Sequence, residues 1–330
     1  MSADLFRRHP TRREFLTIGS GVFVALSLPL ALRRRMPLVK RSFPVMGTIA
    51  EVQVAHRDEQ FAERAIDAAI AELQLVERTM TRFRNDSDIG RANLHAVQDG
   101  VIITPATGMV IEAALRWSSA SDGRFDPAIG AASELWDVLN RHEPPPEERV
   151  DRLAARGFWR KVDVARFQGA PAVRFEDRDV HLDLGAIAKG HGVDRAVAVL
   201  RGLGVAHAIV TVGGDLFTLG SSPDGGPWHV GIRSPHDHNA LAATLEVTDR
   251  AVATSGDYER FFRWHGQMYH HLIDPATGAP RRTPMHSATV LGADCMNADA
   301  AATAAFGLPH DAALAIVRRM ISGAEVIPLA

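Results

Sequence analysis

The sequence predicts an α+β fold of mixed sheets with packed helices. Three observations lead there. Short strand-like and helix-like segments follow one another without strict β–α–β alternation, and no segment repeats. The composition, 46% hydrophobic and 23% charged, is that of an ordinary globular protein with a core of its own.

The elements follow in chain order. Residues 42–55 read as a strand broken at Met46-Gly47-Thr48, since Val52 and Val54 alternate with polar neighbours. Over 60–83, Ala62, Ala65, Ile66, Ala69, Ile70, Leu73, Val76 and Met80 recur every three or four residues, the stripe of a long amphipathic helix. A polar loop over 84–88 leads into a short helix at 89–94. Thr104 and Pro105 fit the cap and first turn of a helix over 104–119. Asp122-Gly123-Arg124-Phe125-Asp126-Pro127 is rich in turn formers, and three consecutive prolines mark 141–152 as an exposed connection. Short strands with turns fill 162–184, and small residues lead into a helix over 185–204. Residues 206–220 read as an apolar strand ending in a glycine turn, Gly213-Gly214-Asp215. Strands are expected at 228–233, 243–247, 251–254, 268–273 and 287–291, then helices at 297–306 and 311–320.

Charge and cysteine content exclude whole classes. The net charge is −2, yet the first 35 residues carry seven arginines against Asp4 and Glu14, so the remainder is mildly acidic. That argues against nucleic acid as a partner, which would call for a basic face. The lone Cys295 excludes a disulfide framework and a cysteine-rich metal site. Arg12-Arg13 precede an apolar stretch over 15–32, the layout of a twin-arginine export signal. Residues 1–35 are therefore expected to be a targeting segment and 36–330 the working domain, placed in the periplasm or on the outer face of the inner membrane. Arg33-Arg34-Arg35 and the lack of a clear cleavage site leave a basic anchor helix as the alternative.

Four segments bear groups suited to chemistry. In Asp183-Leu184-Gly185-Ala186-Ile187-Ala188-Lys189-Gly190 a strand passes into a helix through residues of little bulk, so backbone N–H groups could approach a phosphate. Lys189 could neutralise a phosphate oxygen and Asp183 could accept from a base or ribose; a plain packing turn is the alternative. Asp299 and Thr303 share one face of a helix, a hard oxygen pair that suits Mg2+ or, equally, a structural pair. His270-His271 close an apolar strand, and a histidine there can take a proton from a hydroxyl or simply bond the following turn. Val252-Ala253-Thr254-Ser255-Gly256-Asp257-Tyr258 ends a strand in small residues, a possible anion cradle around Ser255.

Taken together, these segments resemble the ApbE family of FAD:protein FMN transferases. The likeness runs from Met46-Gly47-Thr48 through Asp86-Ser87-Asp88-Ile89, Gly123-Arg124-Phe125-Asp126-Pro127, Asp183 to Gly190 and Val212-Gly213-Gly214-Asp215. It continues through Ala253 to Tyr258, His271-Leu272-Ile273-Asp274-Pro275 and Ala298-Asp299-Ala300 with Thr303. The resemblance implies an ApbE-like, T-fold-like single catalytic unit. It implies FAD contacts at Met46, Phe83, Phe125, Asp126, Pro127, Asp183, Lys189, Ser255 and Leu272. It also implies Mg2+ held by Asp299, Thr303 and the Ala186 carbonyl, with His271 as the base. The chain departs from the family at Ala131, usually Pro, at Ala186, often Gly, and at Phe83, often Tyr. The implied reaction carries FMN from FAD to a Thr or Ser hydroxyl of an extracytoplasmic or membrane-associated redox flavoprotein, releasing AMP. Two other readings stand beside it: an Mg2+-dependent FAD pyrophosphatase using water, and a non-catalytic flavin-binding accessory protein.

Overall fold

The computed structural model describes residues 23–26, 36–237 and 240–330. The chain forms two compact units, each assembled from separate stretches. The first takes the described residues up to Glu77, Lys189–Thr254 and Thr289–Asp299; the second takes Arg78–Ala188, Ser255–Ala288 and Ala300–Ala330.

Most of the expected export segment lies outside the described residues. Four residues of its apolar stretch form strand β1 (Phe23–Leu26), paired antiparallel with residues 229–232. β2 (Leu38–Val45) and β3 (Thr48–Ala55) make a hairpin closed by Met46 and Gly47, with φ of 53° and 67°. Two left-handed residues give a turn whose twist matches the strands, so the expected break is a tight hairpin. α1 (Glu59–Met80) buries Ala62, Ala65, Ile66, Ala69, Leu73, Val76 and Met80, while Ile70 is half-buried. It ends three residues before the expected end. The Ser87 hydroxyl donates to the Thr81 carbonyl at 2.5 Å, and the Thr81 hydroxyl accepts from the Phe83 N–H at 3.3 Å. Those bonds replace the helical ladder.

α2 (Asp88–His95) is capped by Ser87, whose hydroxyl accepts from the Gly90 N–H at 2.8 Å. After β4 (Val101–Ile102), α3 (Pro105–Ala120) starts as expected, with the Thr104 hydroxyl accepting from the Thr107 N–H. α4 (Gly130–Trp136) and α5 (Glu147–Asp151) follow. α5 falls inside the stretch expected to be irregular. The Pro146 carbonyl accepts from the Arg149 and Val150 N–H groups, and Val150 is buried. β5 (Val162–Phe167) and β6 (Ala170–Phe175) form a hairpin, with β4 on the other side of β6.

α6 (Ala188–Gly202) begins three residues later than expected. The Asp183 carboxylate accepts from the Gly185 N–H at 2.9 Å, and the Leu184 carbonyl accepts from Ile187 and Ala188 at 3.0 and 2.8 Å. A tight turn therefore precedes the helix. β7 (Ala208–Val212) and β8 (Asp215–Leu219) pair across Gly213 and Gly214, so the single apolar strand expected here is a hairpin. Next come β9 (Trp228–Arg233), β10 (Leu241–Val247), β11 (Arg250–Gly256), β12 (Phe261–Trp264) and β13 (Gln267–His270). β14 (Ile273–Asp274), β15 (Ala279–Pro280), β16 (Ser287–Gly292), α7 (Cys295–Ala305), α8 (His310–Val317) and β17 (Glu325–Leu329) complete the chain. The strand expected over 268–273 divides at His271, because His270 Nδ1 turns back to accept from the Leu272 N–H at 3.2 Å.

In the first unit β2, β3, β7, β8, β11 and β16 are neighbours in that order, and β9 lies between β1 and β10. Ala50, Val52, Val54, Val210 and Val212 from the central strands are fully buried, as are Ile66 and Leu73 of α1. The second unit has its own aromatic core, with Trp117, Phe125, Phe158, Phe175 and Phe306 all buried.

One close approach in the first unit positions the chemistry. A Cβ added to Gly190 of α6 would stand 2.2 Å from the Cys295 carbonyl oxygen at the start of α7. The Asp194 carboxylate, one turn along α6, accepts from the Cys295 and Met296 N–H groups, each at 2.8 Å. Since the obstacle is backbone, Gly190→Ala is expected to lower stability by at least about 1–3 kcal/mol, the usual range for overpacking. Urea unfolding of the variant beside the parent measures this; equal midpoints would show that the two helices can part without loss.

Candidate active site

In the first unit Lys189, Asp215 and Asp299 come together. Lys189, at the first turn of α6, donates from Nζ to Asp215 Oδ2 at 2.6 Å and to Asp299 Oδ1 at 2.9 Å. The second oxygen of Asp299 accepts from the Gly190 N–H at 3.1 Å. Asp215 and Asp299 are 1% and 2% exposed, so neither is solvated. Burial pulls the Lys189 ammonium down, but the Asp215 and Asp299 charges prevail and hold it protonated above its ordinary range. Burial, then the Asp299 charge, push Asp215 upward. Met46 is half-buried, and its methyl group lies 2.9 Å from the place a Gly192 Cβ would take.

Asp215 is the site residue that sequence reasoning missed. It stood within the glycine-turn motif, but a strand-start aspartate signals nothing until its burial and its lysine partner are seen. Lys189, expected on a phosphate, is engaged by two carboxylates.

The second unit holds the remaining candidates. The Ser255 and Thr303 hydroxyls are 3.0 Å apart, an unforeseen pairing. Thr303 lies in the last turn of α7, whose terminal carbonyls are held by two arginines. Arg281 Nη1 donates to the Thr303 and Phe306 carbonyls at 2.8 and 3.1 Å, and Arg124 donates to those of Ala304 and Phe306 at 3.2 and 2.9 Å. Cations at a helix C-terminus meet its partial negative charge. Burial, then the Arg124 charge, lower Arg281 to about 10.

The two adjacent histidines differ in their surroundings. His270 is buried; its Nδ1 accepts from the Leu272 N–H, so Nε2 carries the proton and donates to the Arg281 carbonyl at 2.8 Å. Burial lowers its pKa, keeping it a neutral strut. His271 is half-buried, with Nδ1 3.4 Å from the Arg260 carbonyl. Leu272 is buried, and its carbonyl accepts from the Arg281 N–H at 2.9 Å.

Asp183 is bound to Arg82 at 3.0 Å, and Arg82 reaches Glu134 at 3.3 Å, which in turn pairs with His181 at 3.0 Å. Phe83 is 78% exposed, with the Arg82 guanidinium 4.3 Å from its ring centre. Phe125 is a core side chain, and Pro127 is buried with its carbonyl accepting from the Asp183 N–H at 2.8 Å. Ala186 is half-buried in the turn before α6.

Among the described residues no three His, Cys, Asp or Glu side chains gather in a way that could hold a metal ion. A metal using Asp299 would draw on that carboxylate and on neutral oxygens, the neighbouring Asp215 carboxylate being paired with Lys189. That donor set suits Mg2+, which keeps waters and takes substrate phosphates as ligands.

Two solved structures share this architecture. The ApbE protein of Thermotoga maritima matches with a TM-score of 0.80 at 27% identity, over 88% of this chain and 94% of that one. The flavin transferase ApbE of Vibrio cholerae gives 0.76 at 26% identity, over 89% and 93%. Fold and site together therefore define a protein of the flavin-transferase class. An FAD:protein FMN transferase of Treponema pallidum is 33% identical over 300 residues, covering 87% of this chain and 83% of the relative. One from Vibrio cholerae is 30% identical over 283 residues, covering 84% of each. The ApbE family profile matches residues 46–327, and the chain belongs to that family.

Asp126 yields a test of its buried environment. It is 8% exposed, and its carboxylate accepts from the Ala128 and Trp159 N–H groups at 2.8 and 3.3 Å. Burial raises it from 3.8 to about 6, against the opposing pull of those N–H groups. The folded state thus holds this proton more tightly than the unfolded state. Its stabilising contribution is complete below about pH 4 and lost as pH rises through about 6. Asp126→Asn should therefore gain on the parent by up to about 3 kcal/mol between pH 4 and pH 7. Parallel urea titrations measure that gap; a gap independent of pH would mean that Asp126 is ionised throughout.

Proposed function

We propose that this chain is an FAD:protein FMN transferase that uses Mg2+ to move FMN from FAD onto a Thr or Ser hydroxyl of an acceptor protein. The observation that carries the reading is the family match over residues 46–327, supported by a half-buried His271 beside a sequestered His270. His271 takes the proton of the acceptor hydroxyl, and the resulting oxygen bonds to the FMN phosphorus. The bond from that phosphorus to the bridging oxygen breaks, and the oxygen and its electron pair leave with AMP. Mg2+, bound through Asp299, Thr303 and the Ala186 carbonyl, would supply neutralisation of the pyrophosphate charge. Ser255, hydrogen-bonded to Thr303, orients that hydroxyl. Phe83 offers an exposed ring to the flavin, without the hydroxyl of a tyrosine.

In the same reading, residues 1–35 direct export by the twin-arginine route. The enzyme works in the periplasm or at the outer face of the inner membrane, on redox flavoproteins located there. Arg12-Arg13 ahead of the apolar stretch over 15–32 support this placement.

Mass spectrometry of the protein mixed with FAD, Mg2+ and a Thr-bearing flavoprotein acceptor tests the reaction. A gain of one FMN on the acceptor is expected, lost with EDTA and with Asp299→Ala. His271→Ala should slow labelling by about 10²–10⁴-fold while FAD still binds. Free FMN and AMP with every acceptor unlabelled would make the protein a pyrophosphatase, and unchanged FAD would make it a binding protein.

A further inference from the structure

Two buried carboxylates in the first unit share one ammonium. Asp215 and Asp299 are 1% and 2% exposed, and Lys189 Nζ donates to both. Among the described residues the remaining donor to the two carboxylates is the Gly190 N–H, a neutral group that binds Asp299 Oδ2. Taken as ionised groups, the cluster is one positive charge short, and an uncompensated charge in a dry site is costly. The two bonds of the ammonium also differ. The contact to Asp215 is 2.6 Å and that to Asp299 is 2.9 Å, so Lys189 sits closer to the carboxylate that has no proposed ligand role.

We propose that Asp215 is a positioning residue that holds the Lys189 ammonium so that Asp299 can exchange its ion pair for a divalent metal. This rests on the reading of Asp299 as a metal ligand in the proposed function. In the metal-free protein Lys189 acts as a resident cation on Asp299 Oδ1. When a metal takes that oxygen, Lys189 keeps Asp215 and is not left as an unpaired buried charge. Removing the Asp215 charge leaves Lys189 with Asp299 alone, and lysine and metal then compete for the same oxygen. Removing the Lys189 charge takes the competitor away.

The test is Mn2+ titration into the full protein with ADP present, followed by loss of the free-ion EPR signal, with the melting temperature recorded for every variant. Asp215→Asn should raise the half-saturating Mn2+ at least tenfold. The Mg2+ needed for half-maximal labelling should rise in parallel, with turnover recovering at high Mg2+. Lys189→Met and the double variant Lys189→Met/Asp215→Asn should bind Mn2+ at least as tightly as the parent. A merely structural Asp215 would lower the melting temperature and turnover but leave the half-saturation point in place, which would overturn the inference. Should Asp215→Asn fail to fold, Lys189→Met decides alone: weaker Mn2+ binding than the parent overturns the exchange. Mn2+ binding that survives Asp299→Ala would remove the metal reading and this inference together. Binding abolished by Asp299→Ala but indifferent to both Asp215→Asn and Lys189→Met would remove this inference only.

Discussion

The ion pairs of Lys189 are the constraint on which the first unit depends. They join the first turn of α6, the start of β8 and the middle of α7, three elements far apart in the chain. Two carboxylates can be buried there because an ammonium and a backbone N–H meet them. The rest of the local structure makes that meeting possible. Gly190 lacks the Cβ that would strike the Cys295 carbonyl, so α6 and α7 can touch at their N-termini. Asp194 then satisfies two of the N–H groups that the start of α7 would otherwise leave unpaired. The Gly213–Gly214 turn delivers Asp215 to the first position of β8. A glycine, a helix cap and a hairpin turn thus serve one electrostatic arrangement.

The second unit solves a related problem at the other end of α7. Its last carbonyls would be buried without partners, and Arg124 and Arg281 supply guanidinium donors to them. The Arg281 N–H and carbonyl bind Leu272 and His270, so the same residue that caps the helix also fixes the backbone beside His271. His270 is spent on this scaffold, with both ring nitrogens bonded to backbone. Adjacent histidines of identical intrinsic chemistry are thereby given different surroundings by burial and by their hydrogen-bond partners.

Local patterns in the sequence carried far where a local rule applies. The three- and four-residue stripe of α1 was readable because helical geometry turns spacing into a face, and seven of its eight predicted positions are buried. Thr104 and Pro105 announced the start of α3 for the same kind of reason, since capping is a matter of neighbouring atoms. The strand expected over 206–220 became a hairpin because two glycines can reverse the chain, and apolar content does not say whether they will. The strand at 268–273 divided because a histidine side chain took a backbone N–H two residues away. α5 formed inside a proline-rich stretch because Val150 found a buried place.

By itself the sequence determined the α+β class, the family through its ordered motifs, and the spacing that puts Asp299 and Thr303 on one helical face. All of these are properties of neighbouring residues or of their order. The tertiary structure decided what each charged group is paired with. It placed Lys189 between Asp215 and Asp299, bound Asp183 to Arg82, turned Asp126 onto two backbone N–H groups and buried one histidine of a pair. Partners of this kind lie far apart in the chain, 110 residues for Lys189 and Asp299. Residue type states only that a charge needs a partner, and folding alone brings a particular one within hydrogen-bonding distance.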